Sequence, residues 1–251
     1  MHRFYVTILS VLVLGLFAVS AGAQTIAPAS TPASQDRPVL VELFTSQGCG
    51  LCPEANVFLG ELDQDEDVFV LAWGVNYWDM YGWTDTYARP EYVQRQRNYL
   101  PNLGAPRPYT PHFIVDGVVD APGWNQDQVS QIVDERLQAM PQTPSIAIET
   151  GQPGMYDIRI NGDVSTDALD VWLVAYAPGW AQVEVGAGEN AGLDMLHYNM
   201  VKSVTYLGHW AGGEAQFSGE SYRRYGMAVI IQGANGGPIY GFAHREPTGE
   251  S

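Results

Sequence analysis

The hydrophobic pattern changes once along this chain, and that change constrains the fold more than any other feature. Up to Met140, apolar runs alternate with segments of helical spacing. Beyond Pro141 and Pro144 only short strand-like segments remain, separated by Gly, Asn, Asp and Pro. In the first part, RPVLVELFTS (37–46) and DVFVLAWGVNYW (67–78) are nearly continuous apolar runs, as expected of strands buried on both faces. CPEANVFLGELDQ (52–64) reads as a helix with Pro53 in its first turn, where proline is tolerated. RPEYVQRQRNYL (89–100) reads as a second helix with Tyr92, Val93, Tyr99 and Leu100 on one face. NQDQVSQIVDERLQAM (125–140) reads as a third, capped by Asn125 and buried through Val129, Ile132, Val133 and Leu137. RPYTPHFIVDGVVDAPG (107–123) reads as a hairpin turning at Asp116-Gly117. The order to Met140 is therefore β, α, β, α, β, β, α. The segments PSIAIET, MYDIRI, ALDVWLVAYAP, AQVEVGAG, YNMVKSVTYLG, RRYGMAVIIQG and PIYGFAH then predict a β-sandwich. The expectation is an α/β domain over 38–141, with a mixed sheet flanked by helices. An all-β, sandwich-like domain over 142–245 and a tail over 246–251 follow it.

The amino terminus reads differently. A short basic start, MHR, precedes the apolar run FYVTILSVLVLGLFAVS and the small-residue site AGA at 21–23. This predicts a secretory signal peptide over 1–23, cleaved after Ala23. A membrane anchor is the competing reading, but the run is short for a span and a cleavage site follows it. Residues 24–37, rich in Ala, Pro, Ser and Thr, predict a disordered leader. The expected location is periplasmic or secreted, with no membrane attachment after cleavage, in an oxidising compartment where disulfides persist. The formal net charge of -16 argues against nucleic acid and against anionic membrane surfaces as partners.

Both cysteines of the chain lie in TSQGCGLCPEA (45–55), between a strand and a helix. A helix start has unpaired N–H groups and a positive end. Cys49, just ahead of it, is expected to have a stabilised thiolate, and Cys52, one turn on, to resolve a mixed disulfide formed at Cys49. Glu54, in the first helical turn, opposes that thiolate. A structural disulfide is a competing reading, although closing so short a loop removes little chain entropy. A zinc site would need further ligands that no second C-x-x-C or C-x-x-H supplies. Chance spacing is the third alternative. Neither a cofactor nor a metal is expected. His112, His197, His209 and His244 have no paired metal spacing.

The blocks VELFTSQGCGLCPEA, VNYWDMYGWTDTYA, RQRNYL, YTPHFIVDG and GAGENAGLDMLHYNMVKSV resemble the DUF1223 family of exported thioredoxin-like proteins, from about Pro38 to Phe242. The resemblance implies a thioredoxin-like domain carrying the dithiol, followed by a β-rich domain. It also implies that Pro111 forms a cis peptide bond beside the dithiol and shapes the substrate groove. Glu42, a charge inside an apolar strand, could lie buried below the dithiol and accept the Cys52 proton. Alternatively it faces a solvated edge or pairs with an arginine. Arg89, Arg95, Arg97 and Arg107 could hold an acidic substrate or merely solvate a helix face. The aromatics from Trp73 to Trp83 could rim a peptide site or pack as core. GENAG (188–192) reads as a tight β-turn rather than a phosphate loop.

The functional expectation is an exported thiol–disulfide oxidoreductase. Cys49 exchanges, Cys52 resolves, and the substrates are protein, peptide or small-molecule thiols and disulfides. The alternative is a binding or scaffold protein with a structural disulfide and a partner-recognising β domain.

Overall fold

The computed structural model describes residues 2, 37–139, 143–152, 154–164 and 169–247. Nearly all of the expected signal peptide and leader, the boundary at 142 and residues 248–251 of the expected tail lie outside these residues. Among the described residues no helix is long and apolar enough to cross a membrane. The fold is mixed α/β, dominated by one eight-stranded mixed sheet.

The first part follows the periodicity. Strands β1 (Val39–Thr45) and β2 (Val68–Gly74) are parallel and buried along their full length. Cover on both faces explains why β1 is buried throughout. Val39, Val41 and Leu43 pack with helices α1 (Cys52–Leu62) and α3 (Gln126–Gln138) on one face. Leu40 and Phe44 pack with α2 (Pro90–Leu103) on the other. Strand β3 (His112–Val115) runs antiparallel to β1 and pairs with β4 (Val119–Pro122). Asp116 and Gly117 both take positive φ in the turn that the Val118 N–H closes on the Val115 carbonyl, as the central residues of a turn of the primed type require. Asn125 caps α3 by accepting from the Gln128 N–H.

The second part departs from expectation. Strands β7 (Leu169–Glu184), β8 (Asp194–Trp210), β10 (Gly226–Gln232) and β11 (Ile239–Arg245) do not form a separate sandwich. They extend the first sheet, in the order β11-β10-β7-β8-β2-β1-β3-β4. The reason is the free edge of β2, which β8 covers in parallel through Ala72 and Met200. Only β5 (Ser145–Thr150), β6 (Met155–Asn161) and β9 (Ala215–Glu220) form a second sheet. It packs Tyr156, Ile158 and Ile160 against Val171, Leu173, Val229 and Ile231 of the large sheet. The opposite face of that same region shares a core with α2: Val174, Tyr176, Ala228 and Ile230 lie with Tyr92 and Tyr99. Two faces covered by different elements make β10 buried throughout.

One boundary moves as well. Arg37, expected in the leader, is buried and bridges to Asp116 at 2.6 Å. Asp116 also accepts from the Leu40 N–H and from Arg136, so the chain's entry into β1 is tied to the β3–β4 turn and to α3.

Candidate functional site: a dithiol beneath a hairpin loop

Strand β1 ends at Thr45, and α1 starts at Cys52 with Pro53 in its first turn. The six residues between them carry Cys49 outside the helix, while Cys52 is its first residue. Both cysteines are reduced. Both are also buried, at 1 % and 0 % exposure. Val185 and Met195, from the two arms of the β7–β8 hairpin, pack on the sulfurs together with Trp78 and Trp83.

The two thiols are driven apart in acidity. Cys49 is lowered to about 7, first by a hydrogen bond from Cys52. The Thr110 hydroxyl and the Leu51 and Cys52 N–H groups act in the same direction, against the opposing effect of burial. The helix-start N–H groups thus contribute, but less than the partner thiol does. Cys52 is raised well above the ordinary thiol value by burial and by the Cys49 charge. Its sulfur accepts from the Ser46 N–H at 3.5 Å. Glu54 is exposed on α1.

Pro111 follows Thr110 through a cis peptide bond, and Thr110 stands between Cys49 and the Trp78 indole, which donates to its hydroxyl at 2.7 Å. Glu42 is fully buried, but its partners are Arg95 at 2.6 Å and the Tyr99 hydroxyl. Of the three possible roles for Glu42, the arginine pair describes these contacts. Its even position in β1 turns it to the α2 face, opposite α1. Arg95 is completed by Gln232 at 3.2 Å, so this is a fully bonded ionic cluster joining β1, α2 and β10. Arg89, Arg97 and Arg107 are exposed.

Residues that no sequence motif marks hold the site together. Gln47 is buried; its N–H donates to Asp85 at 2.7 Å, and its side-chain carbonyl accepts from the Trp83 indole at 2.9 Å. Asp85 also accepts from the Tyr87 and Ala88 N–H groups, fastening the aromatic loop 75–89 over the cysteine loop. GENAG is a turn, as expected, but also a cover. Asn190 donates to the carbonyls of Gln47 and Cys49, both at 2.9 Å. Glu189 accepts from the Gly50 N–H at 2.8 Å. A Cβ at Gly50 would stand 2.7 Å from the Glu189 carboxylate, so a larger residue there would push that flexible side chain aside. Membership of ELFTSQGC and GENAG in the family-like blocks is the one sequence signal for this pairing; nothing local in either indicates that they touch.

Beside the cysteine loop lie two hollows of about 450 and 320 Å³, both bordered by Glu54 and Gln126. Leu51 and Trp124 are exposed at their edge. Trp73 is fully buried core, whereas Tyr81 is exposed, so the aromatics divide between packing and rim. His197 is buried, lowered to about 4 by burial, and its Nε2 lies 3.4 Å from the Gln47 amide. His112 bridges Asp120 at 3.0 Å, and His209 bridges Asp170 at 2.9 Å. Among the described residues no group of three or more His, Cys, Asp or Glu could hold a metal ion.

A family model described as a protein of unknown function, DUF1223, matches residues 40–232. No functionally curated protein matches the sequence. The X-ray structure of an Agrobacterium tumefaciens protein, a structural genomics target, is similar with a TM-score of 0.71 and 27% identity. The match covers 86% of this chain and 98% of that one. The chain belongs to the DUF1223 family.

Proposed function

We propose that this DUF1223 member is an exported thiol–disulfide oxidoreductase built on a thioredoxin-like unit. The observation that carries the reading is geometric: Cys49 just ahead of α1 and Cys52 as its first residue lie together in one buried cluster, where their surroundings lower the Cys49 thiol and raise that of Cys52. At neutral pH about half of Cys49 is thiolate, the form that attacks disulfides. The strand order β2-β1-β3-β4, with α1 and α3 on one face and α2 on the other, supports the thioredoxin-like part. Export rests on the basic start, apolar run and AGA site of the sequence.

In the reductive direction the Cys49 thiolate attacks one sulfur of a substrate disulfide. A Cys49–substrate disulfide forms and the other substrate sulfur leaves as a thiolate, taking up a proton. Cys52 then loses its proton, attacks the Cys49 sulfur and expels the second substrate thiol. The substrate gains two electrons and the protein ends with a Cys49–Cys52 disulfide. The oxidative direction is the reverse of these steps. Release is the harder half, because the Cys52 thiol is pushed away from ionisation by burial. In the mixed disulfide Cys49 no longer carries charge, which removes one cause of that elevation.

Burial of both sulfurs beneath Asn190 and Glu189 favours a second reading, in which the cysteines are structural and the protein binds a partner. Turnover separates the two. The oxidoreductase reading expects reduction of a model disulfide to vanish in Cys49→Ser and a covalent Cys49–substrate adduct to accumulate in Cys52→Ser. Unchanged turnover in Cys49→Ser, or no adduct in Cys52→Ser with an accessible model disulfide, overturns it.

A further inference from the structure

Away from the dithiol, a cavity of about 900 Å³ is bordered by Arg89, Lys202, Ser203, Ser221, Tyr222 and Tyr225, among others. It shares none of the residues that enclose the cysteines. Lys202 is the only lysine of the chain and projects from β8 with its ammonium 4.2 Å from the Tyr87 ring. Arg224 stacks over both cavity tyrosines, 4.9 Å from each ring centre. Two cations therefore border one hollow and a third stands over its tyrosines, in a chain with 28 acidic and 12 basic residues plus five histidines.

Among the described residues none of the three is paired with a carboxylate. The ion pairs among the described residues engage Arg37, Arg95, Arg136 and Arg159. One carboxylate, Glu220, borders the cavity without bridging to any of them. Like charges gathered in this way repel, and burial of the ammonium adds to the cost. The Lys202 proton is accordingly held less tightly than usual, by burial first and then by Arg89 and Arg224. Among the described residues this local positive charge has no bridging carboxylate, although the chain as a whole is acidic. An external anion would lower the energy of the whole cluster. The hydroxyls of Ser203, Thr205 and Ser221 add donors, and Tyr222, 67 % exposed, offers a flat apolar face.

We propose that this cavity is a binding site for a small oligoanion, a molecule carrying two or more phosphate or carboxylate groups. Arg89, Lys202 and Arg224 neutralise its charge, and Tyr222 and Tyr225 flank its body. The proposal stands independently of the dithiol chemistry.

Lys202 makes the test direct, because an amine-acylating reagent can modify only this side chain and the chain's amino-terminal amine. Acylation of the peptide containing Lys202 is followed by mass spectrometry with pyrophosphate, with citrate, and with sodium chloride at matched ionic strength. At about four times the dissociation constant, a bound anion slows Lys202 acylation about fivefold. The amino-terminal amine serves as the unprotected reference. Protection by pyrophosphate alone identifies a phosphate ligand, and protection by citrate as well identifies a general oligoanion site. Arg89→Gln and Arg224→Gln abolish the protection, while Arg89→Lys, which keeps the charge, retains it. Protection by sodium chloride equal to that by the oligoanions, or no protection by either, overturns the proposal. So does unaltered protection in the two glutamine variants.

Discussion

Cys49 and Cys52 have the same side chain and opposite acidities, and the difference lies in what each touches. Cys49 receives hydrogen bonds from Cys52, from Thr110 and from two N–H groups, all of which favour its charged form. Cys52 has no comparable compensation for burial. The alkylation rate of Cys49 is therefore expected to rise with pH to a midpoint of about 7 and then level off. Below the midpoint it falls about tenfold per pH unit, because only the thiolate reacts. Cys52→Ala removes the largest acidifying contact. The midpoint then moves upward toward the ordinary thiol value, and the rate at pH 7 drops roughly tenfold. Iodoacetamide kinetics between pH 5 and pH 10 measure both; an unmoved midpoint in Cys52→Ala would reassign the acidity to the helix start. The cysteines are legible as a candidate site because strand, loop and helix start are a local pattern. Thr110 and Gln47 are not, since their roles depend on neighbours more than thirty residues away, such as Asp85 and Trp78. Glu42 is readable only as a choice, as its burial follows from the strand pattern but its partner Arg95 comes from a helix face with the composition of a solvated one.

Among the elements, the β7–β8 hairpin does two jobs. Its arms extend the sheet, and its tip closes over the cysteine loop. Opening the tip breaks the two Asn190 hydrogen bonds and the one that Gly50 donates to Glu189. Each such bond contributes about 0.5–1.5 kcal/mol. Asn190→Ala removes two of them, so the open population, and with it Cys49 alkylation at pH 8, is expected to increase roughly tenfold. The midpoint near 7 stays in place, because the variant changes access and not the contacts of the sulfur. An alkylation rate unaffected by Asn190→Ala would mean that reagents reach Cys49 by another route. Sequence patterns find most elements here, but not their extents. ALDVWLVAYAP and AQVEVGAG read as two strands because Pro178 and Gly179 interrupt the alternation; the structure runs through them as one strand with a register shift. Strand β9 leaves no trace in the pattern: its inward positions are Ala215, Phe217 and Gly219, and one large apolar residue makes no periodicity.

For the whole molecule, the sheet that joins both halves decides what can be removed. The expected boundary near 142 follows from a change of pattern, and pattern does not reveal which strand will cover a free edge. Residues 37–139 alone would be without Val174, Tyr176, Val201, Ala228, Ile230 and Phe242 in the core that α2 closes. They would also expose the β2 edge. Leaving a large apolar side chain uncovered costs about 1.5–3 kcal/mol, and the sum over these positions is comparable to the usual 5–15 kcal/mol of a domain's stability. A 37–139 fragment is therefore expected to be unfolded or aggregated, and the full chain to unfold in urea in a single transition by circular dichroism and by tryptophan fluorescence. A soluble fragment with a cooperative transition of its own would restore the two-domain view. The seam at Ala72 and Met200 also has a consequence in time. The strand that completes the β2 edge lies about 130 residues later in the chain, and at synthesis rates of about 5–20 residues per second it emerges roughly 6–26 seconds after β2. Throughout that interval the nascent first half carries an apolar strand with one edge unpaired, which makes the wait for β8 the point in this protein's life at which a chaperone has most to protect.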